Sequence, residues 1–370
     1  MCRALTVALL CAAATSGLAG AQTALPDIAA VPIEPVTGIL EMFKTHDVVA
    51  LSEGNHGNEQ GHALRLALIR DPRFSAAVND IVVEFGNAHY QGVIDRFVQG
   101  EEVAYDELRK VWQDTTQRGP VWDRPIYEAF YRAVREVNAM LPLKRRVRVL
   151  LGDPPVDWVT PQGSGPARTD DFPAAVIQRE VLVKKRRALV IFGGMHLLRK
   201  RTPFLPPKDP ALAPVAARLI SRFQNGSIVE QLDRLGARVF VVATSTDFDI
   251  STLQANVVTW PRPSLALIRN TPLGVASSVT YFARSSPVIR GRGGLQETLQ
   301  PDLTAVPPMQ EVVDAVLYLG PPSSITQSRL TRELCADPAY LKMREERLSE
   351  FGSPGPVAAF RAECAAVLSK

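Results

Sequence analysis

Four short runs of aliphatic residues organise the first half of the chain, and each closes on glycine beside a polar group. They are Asp47-Val-Val-Ala-Leu-Ser-Glu53-Gly-Asn-His56-Gly, Asp80-Ile-Val-Val-Glu84-Phe-Gly, Arg146-Val-Arg-Val-Leu-Leu-Gly-Asp153 and Ala188-Leu-Val-Ile-Phe-Gly-Gly-Met-His196. Apolar runs of this length read as strands covered on both faces, as in a parallel sheet. Further runs at Ala237–Thr244, Ser264–Ile268 and Ala315–Leu319 predict later strands. The intervening segments have helical spacing. Asn58–Arg70 places Ala63, Leu64, Ala67 and Leu68 on one side, and Gly38–Thr45 and Asp170–Lys185 also read as helices. A long helical stretch from His89 to Asn138 breaks near Gln117-Arg-Gly-Pro120. Strands alternating with helices predict βαβ units with right-handed crossovers. The expected fold over residues 37–320 is α/β: a mixed, mostly parallel β-sheet flanked by helices, with residues 89–138 forming a helical layer over the strand C-terminal edge. Residues 321–370 turn helical, polar and charged, and read as a C-terminal helical appendage.

The first residues change the compartment. Met1-Cys2-Arg3, an apolar Ala4–Gly20 stretch and small residues at Ala19-Gly20-Ala21 read as a signal peptide over residues 1–21, cleaved near Ala21. An extended leader, residues 22–36, follows. The mature protein is expected to be exported, periplasmic or secreted, with no stable membrane span. Cleavage removes Cys2 and Cys11 and leaves Cys335 and Cys364, which in an exported chain read as one disulfide. Two buried thiols are the alternative. The formal charge of +4 over 370 residues is small. The basic clusters at Lys144–Arg146, Lys184–Arg187 and Arg199–Arg201 each adjoin a strand, which excludes a nucleic-acid surface from the reading.

Ligands of open α/β sheets gather outside the strand C-termini, so five groups there form a candidate site: Glu53, His56, Glu84, Asp153 and His196. Glu53 and His56 are spaced like half of a zinc-protease motif, but on a strand-to-loop turn and not on a helix. A carboxylate beside an imidazole still orients the ring and raises its basicity. His56 is therefore a candidate base or metal ligand, His196 a second imidazole or general acid, and Glu84 a group that holds water, orients a histidine or binds metal. A divalent metal at His56, Glu84 and His196 is the corresponding cofactor reading. Asp153 lies in Gly-Asp-Pro-Pro, which is equally a turn. His46, His62 and His89 read as structural, although His89 opens the segment directly after Glu84. No Gly-x-Ser-x-Gly elbow, P-loop or Gly-x-Gly-x-x-Gly follows a strand.

Ser52-Glu53-Gly-Asn-His56-Gly, Val83-Glu84-Phe-Gly and Gly193-Gly-Met-His196 together resemble the superfamily joining erythromycin esterases, ChaN-type haem-binding proteins, TraB proteins and Tiki proteases. The resemblance covers Asp47 to Thr244. Its esterase branch implies a hydrolase in which His56 activates water, Glu53 and Glu84 orient it, and His196 assists at the oxyanion or leaving group. That branch also uses an arginine, for which Arg124 and Arg199 are the candidates. The Tiki branch implies a metal-dependent peptidase. The ChaN branch implies haem capture without catalysis, with His89 and Tyr90 as axial candidates. The expected partner is accordingly a small-molecule substrate or haem.

Overall fold

The computed structural model describes residues 28–158, 170–221, 225–247, 255–279, 287–291, 294–350 and 354–369. The expected signal peptide lies outside them. Among the described residues there are ten strands: β1 (Pro32–Ile33), β2 (Val48–Ser52), β3 (Asp80–Asn87), β4 (Arg148–Asp153), β5 (Ala188–Phe192), β6 (Val239–Thr244), β7 (Ser264–Leu267), β8 (Val288–Arg290), β9 (Gln296–Thr298) and β10 (Ala315–Tyr318). Eight form one sheet in the order β1-β7-β10-β6-β2-β5-β3-β4, while β8 and β9 pair separately. From β10 to β4 every neighbouring pair is parallel, and β7 runs antiparallel to both β10 and β1. The sheet is thus mixed and mostly parallel.

Alternate residues of the central strands serve two cores, because side chains along a strand point to opposite faces. Val49 and Leu51, Ile81 and Val83, Val149 and Leu151, and Leu189 and Ile191 face the helices Pro35–Met42, Glu59–Arg70, Gln91–Gln99 and Pro125–Ala139. Val48 and Ala50, Val82, Leu150, and Val190 and Phe192 face the helices Asp171–Ile177 and Ile228–Arg234 on the other side. The helix after β2 therefore packs on one face, and Ile228–Arg234, which leads from β5 into β6, packs on the other. β2 and β5 are neighbours, so the chain changes faces between them. Ligands collect at such a switch point.

Strand entries carry charge. Arg148 and Arg186 both hold the buried Asp80 at the start of β3, and Arg238 pairs with Asp47 just before β2. Arg186 thus accounts for part of the Lys184–Arg187 cluster. Some element bounds differ from expectation. The first helix starts at Pro35, with Glu34 capping it, so the leader already enters the sheet as β1. The 89–138 stretch is divided into Gln91–Gln99, Tyr105–Leu108, Lys110–Gln113 and Pro125–Ala139. Gly100, at φ 106°, ends the first of these in a left-handed cap. Among the described residues, no helix is long and apolar enough to cross a membrane.

The C-terminal helices Arg332–Ala336, Pro338–Ser349 and Gly355–Leu368 surround a small core of Leu330, Tyr340, Leu348 and Phe360. Cys335 and Cys364 form a disulfide within it, of the kind that persists in oxidising compartments.

Candidate functional site

Glu53 leaves β2 with its backbone N–H donating to Phe192 O of β5 at 2.8 Å, so the loop after β2 is anchored to the strand that carries the other imidazole. Gly54 has φ 70°, a conformation that favours glycine, and an added Cβ there would meet Thr246 Oγ1 at 1.9 Å. Thr246 in turn accepts from the Asn55 N–H, and Ser52 Oγ bonds Asp247 at 2.6 Å. Asn58 fixes the far end of the loop. Its amide donates to Glu53 O and Asn55 O, and its carbonyl caps the next helix by accepting from the Gly61 N–H. The turn is therefore rigid where it presents His56.

The buried Glu53 carboxylate bonds His56 Nδ1 through Oε2 at 2.9 Å and accepts the Tyr127 hydroxyl through Oε1 at 2.7 Å. Arg65 Nη2, also buried, is 3.5 Å from Oε1. Burial works to raise the Glu53 carboxyl, yet His56, Arg65 and Tyr127 together hold it below the usual range. Burial, with Glu53 beside it, pushes the Tyr127 phenol well up, so it donates its proton to Glu53. An Nδ1–H directed at a carboxylate leaves His56 Nε2 as the free lone pair. The His56 side chain is 35% exposed, and its ring stands edge-on to Trp122, with centroids 4.6 Å apart.

Glu84 sits where the β3–β4 register breaks, between Val83 and Asn87. Such an irregularity re-aims a side chain. Its Oε2 accepts the Gly193 N–H at 2.6 Å, and its Oε1 lies 3.7 Å from His196 Nε2. Ligand atoms of Glu53, His56 and Glu84 all lie within 4.8 Å of one another. A Cβ on Gly193 would stand 3.3 Å from His56 Cε1, 3.4 Å from Glu84 Oε2 and 3.7 Å from His196 Cδ2. Glycine at 193 thus keeps open the space among the three groups.

His196 is the second imidazole, and its partner was not foreseen. The buried Asp170 accepts from His196 Nδ1 at 2.5 Å and is also paired with Arg201. Burial opposes ionisation of Asp170, but His196 and Arg201 outweigh it and hold its carboxyl low. In the sequence Asp170 marked only a helix start. It gave no other signal, because 26 residues separate it from His196.

Asp153 is buried and lines, with Glu84, Asp170 and His196, a recess of about 10 Å³, the size of one water molecule. Its oxygens accept from the Thr116 N–H at 2.7 Å and the Thr116 hydroxyl at 2.5 Å. Burial nonetheless pushes its carboxyl up to about 7. Asp153 is thus beside the cluster and not simply in a turn.

The arginine candidates fare differently. Arg199 is bound to Asp233, Asp314 and Val239 O, at the entry to β6. Glu53, Glu84 and His196 lie instead toward or beyond the strand C-termini. Arg124 lies against Gly57 of the His56 loop, but its guanidinium is engaged by Ser328 O and Glu363. The arginine that the fold delivers to Glu53 is Arg65. Its sequence signal was a lone arginine between Leu64 and Leu68 on the apolar side of the first long helix. His89 is exposed and packs edge-on to Tyr90, whose hydroxyl donates to Asp114. Burial and Asp114 push that phenol up. His62 is buried and its ring pKa is lowered to about 4, by burial first and then by Arg65, so it stays neutral.

No family model and no curated protein matches the chain. Solved structures do. A succinoglycan biosynthesis protein aligns with TM-score 0.51 at 10% identity, over 79% of this chain and 94% of that one. A Bacillus cereus protein aligns with TM-score 0.49 at 11% identity, over 82% and 96%. ChaN of Campylobacter jejuni, described with cofacially bound haem, aligns with TM-score 0.36 at 15% identity, over 58% and 86%. Likeness at these identities is a likeness of fold, and the site has to be read from its own residues.

Proposed function

We propose that the cluster activates a water molecule for attack on an ester or amide carbonyl, and that the chain belongs with the hydrolytic branches of the superfamily its loops resemble. The observation that carries this reading is the Glu53–His56 pair. A buried, ionised carboxylate fixes Nδ1 of a partly exposed ring, and Nε2 is left to meet a water molecule. His56 Nε2 takes a proton from water, and the resulting hydroxide adds to the carbonyl carbon. Collapse of the tetrahedral adduct breaks the carbonyl C–O or C–N bond, and His196 supplies the proton to the departing oxygen or nitrogen. Carboxylates face both ring nitrogens of His196, so its imidazolium form has a partner on each side. Glu84, tied to the Gly193 N–H, borders both imidazoles and orients the water.

The donor set also suits a divalent cation. His56 and His196 each have Nδ1 held by a carboxylate, which is the outer-shell arrangement typical of metal-bound histidine. His56 and Glu84, whose ligand atoms lie within 4.8 Å of each other and of Glu53, would be ligands, with His196 the further imidazole beside Glu84. A bound metal ion would lower the pKa of its water and polarise the carbonyl.

The test is turnover of an ester and amide panel by the wild type and by His56→Ala, each with and without chelator, beside a haem titration. Loss of at least about 100-fold in the folded variant is expected, in line with removal of a general base. Equal activity in the variant, or a Soret band with no hydrolysis, rejects the hydrolase.

A further inference from the structure

The His56 loop is held from outside the sheet by the C-terminal unit. Ser328 N–H donates to Gly57 O at 2.8 Å, and Glu59 N–H donates to Thr326 O at 3.0 Å. Asn58 and Gln327 form an isolated antiparallel bridge, and Thr326 bonds the side chains of Glu59 and Gln60. Four consecutive residues after His56 are therefore laced to the three that lead into the disulfide-closed helices.

The same unit reaches the other side of the His56 ring. Trp122, buried and edge-on to His56, is followed by Asp123, whose carboxylate is buried as well. Arg344 clamps Asp123 with two bonds of 2.7 and 2.6 Å, and Tyr340 adds a hydroxyl at 2.5 Å. Arg344 is itself 1% exposed and also bonds Gln113 O. Arg124, next in the chain, bonds Ser328 O and Glu363. Tyr340 and Arg344 lie on the helix Pro338–Ser349, enclosed between the two helices that Cys335–Cys364 joins, and Glu363 lies on the second of those. A buried bidentate pair is a costly device for stability alone, since desolvation offsets much of its attraction. It does fix geometry, because the planar guanidinium accepts one orientation of the carboxylate.

We infer that the disulfide-closed C-terminal unit is a positioning element of the site: Arg344, through Asp123, seats Trp122 against the His56 ring, while Thr326–Ser328 seat the loop that carries His56. Arg344, Asp123 and Trp122 touch no reacting atom in this scheme. They restrict where the imidazole stands, and the predicted effect on turnover rests on His56 being the base.

The experiment compares wild type, Arg344→Met and Arg344→Lys by NMR of the histidine ring protons, assigned with His56→Gln, and by kcat and KM on an ester substrate. An indole edge-on to an imidazole displaces its ring protons. Arg344→Met is expected to shift the His56 resonances, to leave those of exposed His89 in place, and to lower kcat about tenfold or more with KM within about twofold, since small misplacements of a catalytic group cost rate. Arg344→Lys keeps the charge without the fork and should fall between the two. Unchanged His56 resonances in a folded Arg344→Met protein overturn the inference. If Arg344→Met does not fold, Arg344→Lys decides it by the same criterion. If no substrate is turned over even by the wild type, the hydrolase reading fails while the resonance shift still tests the positioning.

Discussion

His196 Nδ1 lies 2.5 Å from Asp170 Oδ1, and this pair stands across Glu84 from the Glu53–His56 pair. The site consequently holds two imidazoles, each with one nitrogen fixed by a buried carboxylate. The two nitrogens that remain are both Nε2.

Asp170→Asn tests the second pair. An amide can present its N–H to Nδ1 and so favour the wrong tautomer. Turnover should fall about 10- to 100-fold, the range seen when a partner that orients a functional histidine is lost. The alkaline limb of the kcat profile should also change, because His196 acts in its protonated form in this scheme. Wild-type rates and an unaltered profile would remove His196 from the chemistry.

Gly193→Ala tests the space among the three groups. The new Cβ would stand 3.3 to 3.7 Å from His56, Glu84 and His196. Gly193 carries no left-handed φ, so backbone strain is small. Thermal stability should change by less than about 1 kcal/mol, while activity falls by at least about tenfold as water is displaced. Full activity with normal folding would show that the reacting water sits elsewhere.

Asp153→Asn tests a linkage between pH and stability. The native Asp153 holds its proton up to about pH 7, whereas the carboxyl of an unfolded chain releases it near 3.8. Between these values the native state binds more protons than the unfolded state, so this group's contribution to stability is lost as pH rises. The slope is at most about 1.4 kcal/mol per pH unit. The asparagine variant lacks that term. Its melting temperature should therefore gain on that of the wild type from pH 4 to pH 7, and a constant difference across the window would contradict the assignment.

Cys335 and Cys364 close a loop of 29 residues. Chain-entropy arguments give such a bridge about 3.6 kcal/mol. Unfolding of the C-terminal unit, followed by hydrogen exchange, should move to lower denaturant when dithiothreitol reduces the bridge. Intact mass under non-reducing conditions should be lower than the fully reduced mass by two hydrogens. Identical masses would mean two free thiols.

The sheet was legible because each central strand announces itself locally. Val48–Leu51 and Leu189–Ile191 are apolar without alternation, and Gly54 and Gly193 mark where the chain leaves the sheet. The boundaries of the 89–138 stretch were less legible, since Gln91–Gln99 packs on Pro125–Ala139 and that helix on Glu59–Arg70, contacts between residues distant in the sequence. The place of Arg199 was not legible for a simple reason. A basic residue three positions beyond His196 sits at the strand exit in sequence, but the chain turns back toward the strand entry, where Asp233 and Asp314 bind it.

Local patterning by itself determined the α/β class, the strand ends and the pairing of Glu53 with His56, because three residues on one turn must meet. Tertiary structure alone decided that β5 would lie beside β2 and β3, bringing His196 to Glu84. It also decided that Asp170, Arg65 and Trp122 would serve the two imidazoles, and that Arg344 would reach across from the C-terminal unit to hold Asp123. Contacts between residues far apart in sequence depend on strand order and on which face each crossover takes. Those follow from how the whole chain buries its apolar surface, and no short stretch of sequence records them.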